Sequence, residues 1–511
     1  MMSCRPGALR RGSAGAVLLA MVAISAGCTQ PTGSPALAEA RPVELARTAE
    51  PAAPADLRAL LEARRFPVQP GDAPRTEAEP YDRSPLARGG AAGRLDPTFG
   101  TRGVTVTRVA GHPREANNLV VLKDGSIVTV GGGRRAGSDF VLVKYRCDGT
   151  VDTRFGTRGQ VVTPLAEGGS GAQAVAVAPK GRLVVVGTAG LGQPNQSGFA
   201  VARYLPDGRL DPGFGTGGVV VAPIGPQRSA GASDVVVLPD GRILVAGGAT
   251  DAQGNPGFAA ARFLPNGRLD PGFGTGGSVI VPMPGGDAAG LALALQPKGR
   301  IVLGGTAENQ GVTYFGLARL TPNGQLDRSF GNQGTTLAAF PDANINGLHD
   351  LAVDRAGRIV AVGVTGTDHP PFQFGLMRFR PDGALDPTFG GGTGMVRTAF
   401  EGTAAATGVL LRPDGRIIAV GQAWPNIALA GYLPNGDLDD RFGDHGLTIT
   451  RVGQISAASA VALQFGKRLV ISGVTGDASL SDAAFLVARY GLAKGPLPAC
   501  CERTPTVVGL G

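Results

Sequence analysis

"LPDGRLDPGFGTGG" spans residues 205–218, and "LPNGRLDPGFGTGG" returns at 264–277. A shorter form of the phrase, [LV]-D-x-x-F-G, occurs seven times, with its aspartates at Asp96, Asp152, Asp211, Asp270, Asp327, Asp386 and Asp439. Successive copies lie about 53 to 59 residues apart, the period of a solenoid, propeller or array.

Each period has an inner grammar. In the third copy "ASDVVVLPDGRILVAGG" (232–248) places two apolar runs around "PDG". Pro presets φ, Asp bonds its own backbone and Gly tolerates positive φ, so the trio reads as a hairpin turn. A third strand, "FAAARFL", follows, then a "PNG" turn, the "LDPGFG" phrase and a fourth strand, "GGSVIVPM" (276–283). Four strands per repeat and seven repeats predict an all-β fold, a seven-bladed β-propeller. Composition agrees. Gly (82) and Pro (39) are abundant in a chain of 511 residues that is 43% hydrophobic, which suits many short strands joined by turns.

The residues of the phrase divide the labour. Asp caps the turn by accepting a backbone N–H. The phenylalanines Phe99, Phe155, Phe214, Phe273, Phe330, Phe389 and Phe442 are suited to plug the gaps between wedge-shaped blades, and the Gly after each allows a sharp exit. In the third strand Phe258, Ala260 and Arg262 share one face, because strand side chains alternate. That Arg recurs as Arg203, Arg319, Arg378 and Arg489, with Lys144 in the first copy and Gly431 in the sixth. A cation on an apolar face needs a carboxylate, and the seven aspartates supply it: a structural ion pair is expected.

These motifs, "PDGRLDPxFG" with "FxxARY", resemble the delta-60 repeat, a bacterial propeller repeat, over about residues 94–491. The resemblance implies a propeller on an exported bacterial protein and brings no general biochemical activity with it. "AVAVAPKGRLVVVG" is similar to NHL-type blades, whose innermost strand precedes the turn. On that order the inner strands are 116–122, 172–178, 232–238, 290–296, 348–353, 405–411 and 458–464. The last blade ends with its third strand (485–490), while 104–109 is a strand with no blade before it. The N-terminal strand is therefore expected to complete the last blade and close the ring, hiding edges that invite aggregation.

Residues 1–27 read as an export signal, with Arg5, Arg10 and Arg11 ahead of a short apolar core. The core ends in "ISAGC", which resembles a bacterial lipobox with Cys28 as the lipidated residue; cleavage after "AEA" (38–40) is the alternative. Lipidation would anchor the protein to a membrane without a spanning helix. Residues 28–92 form an Ala/Pro-rich tether with a short helix expected at 54–66. The propeller takes 93–491 and a tail 492–511. Cys500 and Cys501 pair with Cys147 or stay unpaired. The expected place is the bacterial cell envelope, with a secreted or periplasmic protein as the alternative.

The formal charge is +8, but basic residues are spread one or two per repeat. Nucleic-acid binding calls for a concentrated basic face, so no nucleic-acid partner is expected. There is no GxSxG, GxxxxGK[ST], HExxH or EF-hand loop, and "GGGRRAG" (131–137) is followed by no helix that would cradle a phosphate. No cofactor is expected. Four His (His112, His349, His369 and His445) do not suggest a metal cluster. Trp424, the only Trp, falls in a loop as a partner anchor or a buried filler.

One constellation remains. Counted back from the first turn, one inner-strand position holds Asn118, Asp234 and Asp350 in blades one, three and five, with His349 just before Asp350. These four residues are the candidate ligand site at the mouth of the central channel. They form either a solvated polar funnel or a set of oxygen ligands for a cation; gluconolactonase-like propellers use a similar mix. The sequence thus points to a monomeric, non-enzymatic envelope propeller binding a protein or glycan partner. The rival is a metal-dependent propeller hydrolase or lactonase.

Overall fold

In the third repeat Asp240 accepts the Arg242 amide at 3.0 Å and Gly241 takes φ 85°, so "PDG" reverses the chain as its composition predicts. The computed structural model describes residues 92–109, 114–133, 139–165, 170–193 and 196–492. The export signal, Cys28, the tether with its helix, His112, Cys500, Cys501 and nearly all of the tail lie outside these residues.

Blade three runs Ala230–Val237, Ile243–Thr250, Pro256–Phe263 and Ser278–Val281 as one antiparallel sheet in sequence order. Seven such four-stranded sheets form, so the chain is a seven-bladed propeller. The inner strands are Arg114–Val121, Ser170–Ala178, Ala230–Val237, Asp287–Leu295, Ile345–Val353, Ala404–Leu411 and Ile455–Gln464. Each starts one to three residues earlier than expected, and every one continues its pairing past a β-bulge, an extra residue that shifts the phase of alternation.

The ring closes as expected. Val104–Thr107 pairs antiparallel with Ala484–Gly491, from Val104 opposite Ala488 to Thr107 opposite Phe485. The closing segment also supplies the turn that the last blade lacks: the Gly93 amide donates to the Gly491 carbonyl (2.9 Å) and the Asp96 amide to the Arg489 carbonyl (2.8 Å).

Apolar residues meet between blades. Val184, Val186, Phe199 and Val201 of blade two pack with Val235, Ile243, Val245, Ala259 and Ala261 of blade three. All seven phrase phenylalanines are buried. Phe214 reaches the next blade at Gly267, where φ is +91° and a Cβ would lie 3.1 Å from the ring; the Gly215 amide donates to the Asn266 carbonyl there (2.9 Å). Only Gly satisfies both demands.

Arg262 shows what the repeated cation does. Its Nε lies 2.7 Å from Asp270, its Nη1 donates to the Pro322 carbonyl of the next blade (2.6 Å), and its guanidinium carbon sits 4.9 Å from the Phe273 ring centroid. One side chain thus holds its own turn, its own plug and its neighbour. The pair recurs at Arg203–Asp211 (2.8 Å), Arg319–Asp327 (2.9 Å), Arg378–Asp386 (2.7 Å) and Arg489–Asp96 (3.1 Å), with Lys144–Asp152 looser at 3.7 Å. In blade six, where Gly431 replaces the Arg, Arg416 reaches Asp439 from the first-strand turn (2.8 Å).

Antiparallel order puts the connections after the first and third strands at one end of every blade, and those after the second and fourth at the other. The disc therefore has a turn face, built from the repeated phrases, and a loop face, built from the variable connections.

Candidate functional site at the channel

One bulge of every inner strand falls at the same level around the channel; blade two has a second, at Gly171. The bulged residues are Asn117, Gln173, Ser233, Leu291, His349, Thr407 and Ser459. A bulge re-aims side chains, and here polar ones turn toward the neighbouring blade. Asn117 Nδ2 donates to the Ala172 carbonyl (2.8 Å), and Thr407 Oγ1 donates to the Ala458 carbonyl (2.8 Å). His349 Nδ1 lies 2.7 Å from the Ala406 carbonyl, which only accepts, so the proton is on Nδ1. Burial holds the His349 pKa below its ordinary value despite that bond.

Asp234 and Asp350 follow the same logic with opposite polarity. Asp234 accepts the amide of its neighbour Val235 (2.7 Å) and that of Leu293 in blade four (2.8 Å). Asp350 accepts from Leu351 (2.8 Å) and from Val409 in blade six (2.8 Å). Both residues are half-buried, and packed strands dominate their surroundings. Burial pushes Asp234 up to about 7 against the pull of the two amides. Burial likewise pushes Asp350 up to about 7; the Val409 amide opposes the rise and the negative charge of Asp234 adds to it.

The structure thus puts Asn118, Asp234 and Asp350 at one level and lets the two carboxylates sense each other. It does not assemble them into a metal centre: among the described residues no group of three or more His, Cys, Asp or Glu side chains is placed to hold an ion. Asn118 makes no link of the Asp234 kind to the next blade. What counting along the sequence missed was the bulge: it separates Asp350 from His349 in role, the first gripping the Val409 amide and the second the Ala406 carbonyl of one neighbouring strand.

Other groups fall away from the channel. Trp424 is half-buried against Ile455, Val474, Leu480 and Ala483 of blade seven. His369 and His445 are exposed in connections. Cys147 is buried and disulfide-bonded, and its partner lies outside the described residues.

On the loop face Phe340, Phe372 and Phe400, none of them in a repeat slot, gather over blade five; the rings of Phe400 and Phe374 lie 4.7 Å apart, centroid to centroid. Backbone bonds stitch these connections into one sector. The Ala404 amide donates to Phe372, Trp424 to Thr403 and Ser456 to Pro425, each at 2.9 Å.

Five stretches, 179–214, 238–273, 296–330, 357–389 and 412–442, match the profile of a family described as a β-propeller domain of unknown function (DUF5122). Each stretch runs from a first-strand turn to a plug phenylalanine, so the chain is a propeller repeat protein. No curated protein matches in sequence. Among solved structures, a virginiamycin B lyase from Staphylococcus aureus is 11% identical, over 75% of this chain and 98% of that one, with a TM-score of 0.40. A protein of unknown function from Dyadobacter fermentans is 12% identical, over 83% and 100%, with a TM-score of 0.38. The polysaccharide lyase Uly1 is 10% identical, over 82% and 98%, with a TM-score of 0.42. No activity follows from such distant likenesses.

Proposed function

We propose that this chain is a non-enzymatic propeller of the bacterial cell envelope, held by a lipid on Cys28, whose loop face over blades five to seven binds a protein or glycan partner. The observation that carries this reading is the aromatic sector. Phe340, Phe372, Phe400 and Trp424 stand outside every repeat slot, and they collect on one side of the loop face. Phe400 and Trp424 keep part of their surface open, and the backbone bonds between their loops pre-order the sector, which lowers the entropy lost on binding. The disulfide at Cys147 suits an oxidising compartment, in keeping with export.

A photo-crosslinking residue in place of Glu401 or His369 on the loop face is expected to trap a partner in intact envelopes, and the same residue at Arg355 on the turn face is expected not to trap it. Phe400→Ala with Trp424→Ala should abolish the product. Crosslinks that survive the double substitution, or that never form from the loop face, overturn the reading. Cys28→Ala should move the protein out of the membrane fraction; unchanged residence rules out the lipid anchor.

One observation favours the hydrolase reading. Carboxyl groups near pKa 7 can hold or take a proton at neutral pH. Turnover of a lactone or glycoside lost in both Asp234→Asn and Asp350→Asn would establish it.

A further inference from the structure

Charges that look scattered in the sequence are gathered by the fold. The repeat writes its basic residues into the first-strand and third-strand turns, and all of those turns lie on one face. Some of the cations there are neutralised, as Arg209 is by Asp207 and Arg242 by Asp240. An exposed excess remains, with at least one member from every blade: Lys123, Lys180, Arg268, Lys298, Arg355, Arg441 and Lys467. The loop face has the opposite character. Its exposed acids include Asp287, Glu308, Asp342, Asp368, Glu401 and Asp482, against Arg108, Arg228 and Arg451 as exposed cations among the described residues. The disc is basic on one side and acidic on the other.

We infer that the turn face docks flat on an anionic phospholipid surface. The inference rests on the lipid-anchor reading above and extends it to the orientation of the propeller. Three features favour a membrane. The cations form a ring over a broad disc rather than lining a groove that tracks a polymer. The plug phenylalanines of this face are buried, so it offers no base-stacking platform of the kind single-stranded nucleic acid uses. The described chain joins the disc on this face, at Ala92, whose carbonyl accepts the Gly443 amide (3.0 Å), so a tether from Cys28 delivers the turn face first. A lipid on Cys28 holds the protein at the membrane but does not set which way the disc faces, and a polybasic face on an anionic surface supplies that orientation. The acidic loop face is repelled by the same membrane and is left open for its partner.

The test is co-sedimentation of the full chain with vesicles of phosphatidylcholine alone and of phosphatidylcholine with phosphatidylglycerol. The leader and the lipid bind both kinds, so the readout is the preference for the anionic vesicles. The wild type should prefer them, and the preference should fall as salt rises. Lys180→Glu with Lys298→Glu and Arg355→Glu should cut the preference by at least about tenfold, as expected for charges acting at a lipid surface. The milder Lys→Gln and Arg→Gln set should cut it less, and Glu401→Lys on the loop face should not reduce it. Unchanged thermal unfolding of the variants shows that the fold is kept. No anionic preference in the wild type, or a preference untouched by the turn-face substitutions, overturns the inference. So does binding to duplex DNA or an anionic polysaccharide without binding to vesicles. Failure of the anchor reading shows separately, as unchanged membrane residence of Cys28→Ala.

Discussion

Asp96 lies 3.1 Å from Nε of Arg489, joining the two ends of the propeller sequence. Arg489 is 1% exposed, and Arg468 approaches the same carboxylate at 2.9 Å. Asp96→Asn leaves two cations at the closing seam without their anion, and breaking a buried pair in this way costs about 3–5 kcal/mol. Guanidinium unfolding should show a loss of that size. Removal of residues 92–107 should go further, exposing the edge of the last blade to intermolecular pairing. An Asp96→Asn protein as stable as the wild type would show that the strand alone closes the ring.

Blade six rests on one cation where blade three has two. Arg416→Ala leaves the buried Asp439 without its observed guanidinium partner, at an expected cost of about 3 kcal/mol. Arg242→Ala removes an outlying contact from Asp270, which Arg262 still holds at 2.7 Å, and should cost less than about 1 kcal/mol. Equal losses in thermal melts of the two variants would contradict this division.

Restoring a side chain at Gly431 should harm the protein. A Cβ there would lie 2.6 Å from Cγ and 2.7 Å from Cβ of Phe442, the plug of the same blade. Gly431→Ala is expected to destabilise by about 1–3 kcal/mol through overpacking. A neutral effect would show that Phe442 can retreat freely.

The channel carboxylates make stability depend on pH. Asp234 and Asp350 titrate near 7 in the fold and near the ordinary Asp value when unfolded, so the native state holds their protons more tightly. Their contribution is fully present below the ordinary Asp value, shrinks steadily as pH rises above it, and is gone once pH passes about 7. His349, shifted down, acts the other way, but only below its ordinary range. Melting temperature should therefore fall between about pH 4 and 7 and level off above about 7.5, and Asp234→Asn with Asp350→Asn should flatten the slope. A double variant with the wild-type slope would locate the dependence elsewhere.

The blade grammar was legible because it is local. "PDG" sets a turn by its own torsions, alternation sets a strand, and a phrase repeated seven times sets the blade count. Ring closure could be read by matching a surplus strand to a missing one. The ion pair was legible because an Arg on an apolar face has few physical alternatives. The bulges were not, since an inserted residue breaks the phase of alternation, and in strands of small residues such as "AGAS" (230–233) and "SAAS" (456–459) no strong apolar contrast marks the break. The polar residues of the inner strands therefore read as a funnel or ligand set, whereas Asn117, His349, Asp350 and Thr407 spend hydrogen bonds on the next blade.

By itself the sequence determined the architecture: strand order, number of blades, the plug and the pairing of Arg262 with Asp270, all of which depend on neighbours in the chain or on exact repetition. Only the tertiary structure decided what seven repeats make together. Lys180 and Lys298 are far apart along the chain, yet the disc turns both to one face; Phe372 and Trp424 belong to different blades, yet backbone bonds draw their loops into one sector. Such groupings arise because a propeller superposes equivalent ends of all its blades, and a surface made that way has no counterpart in any single stretch of sequence.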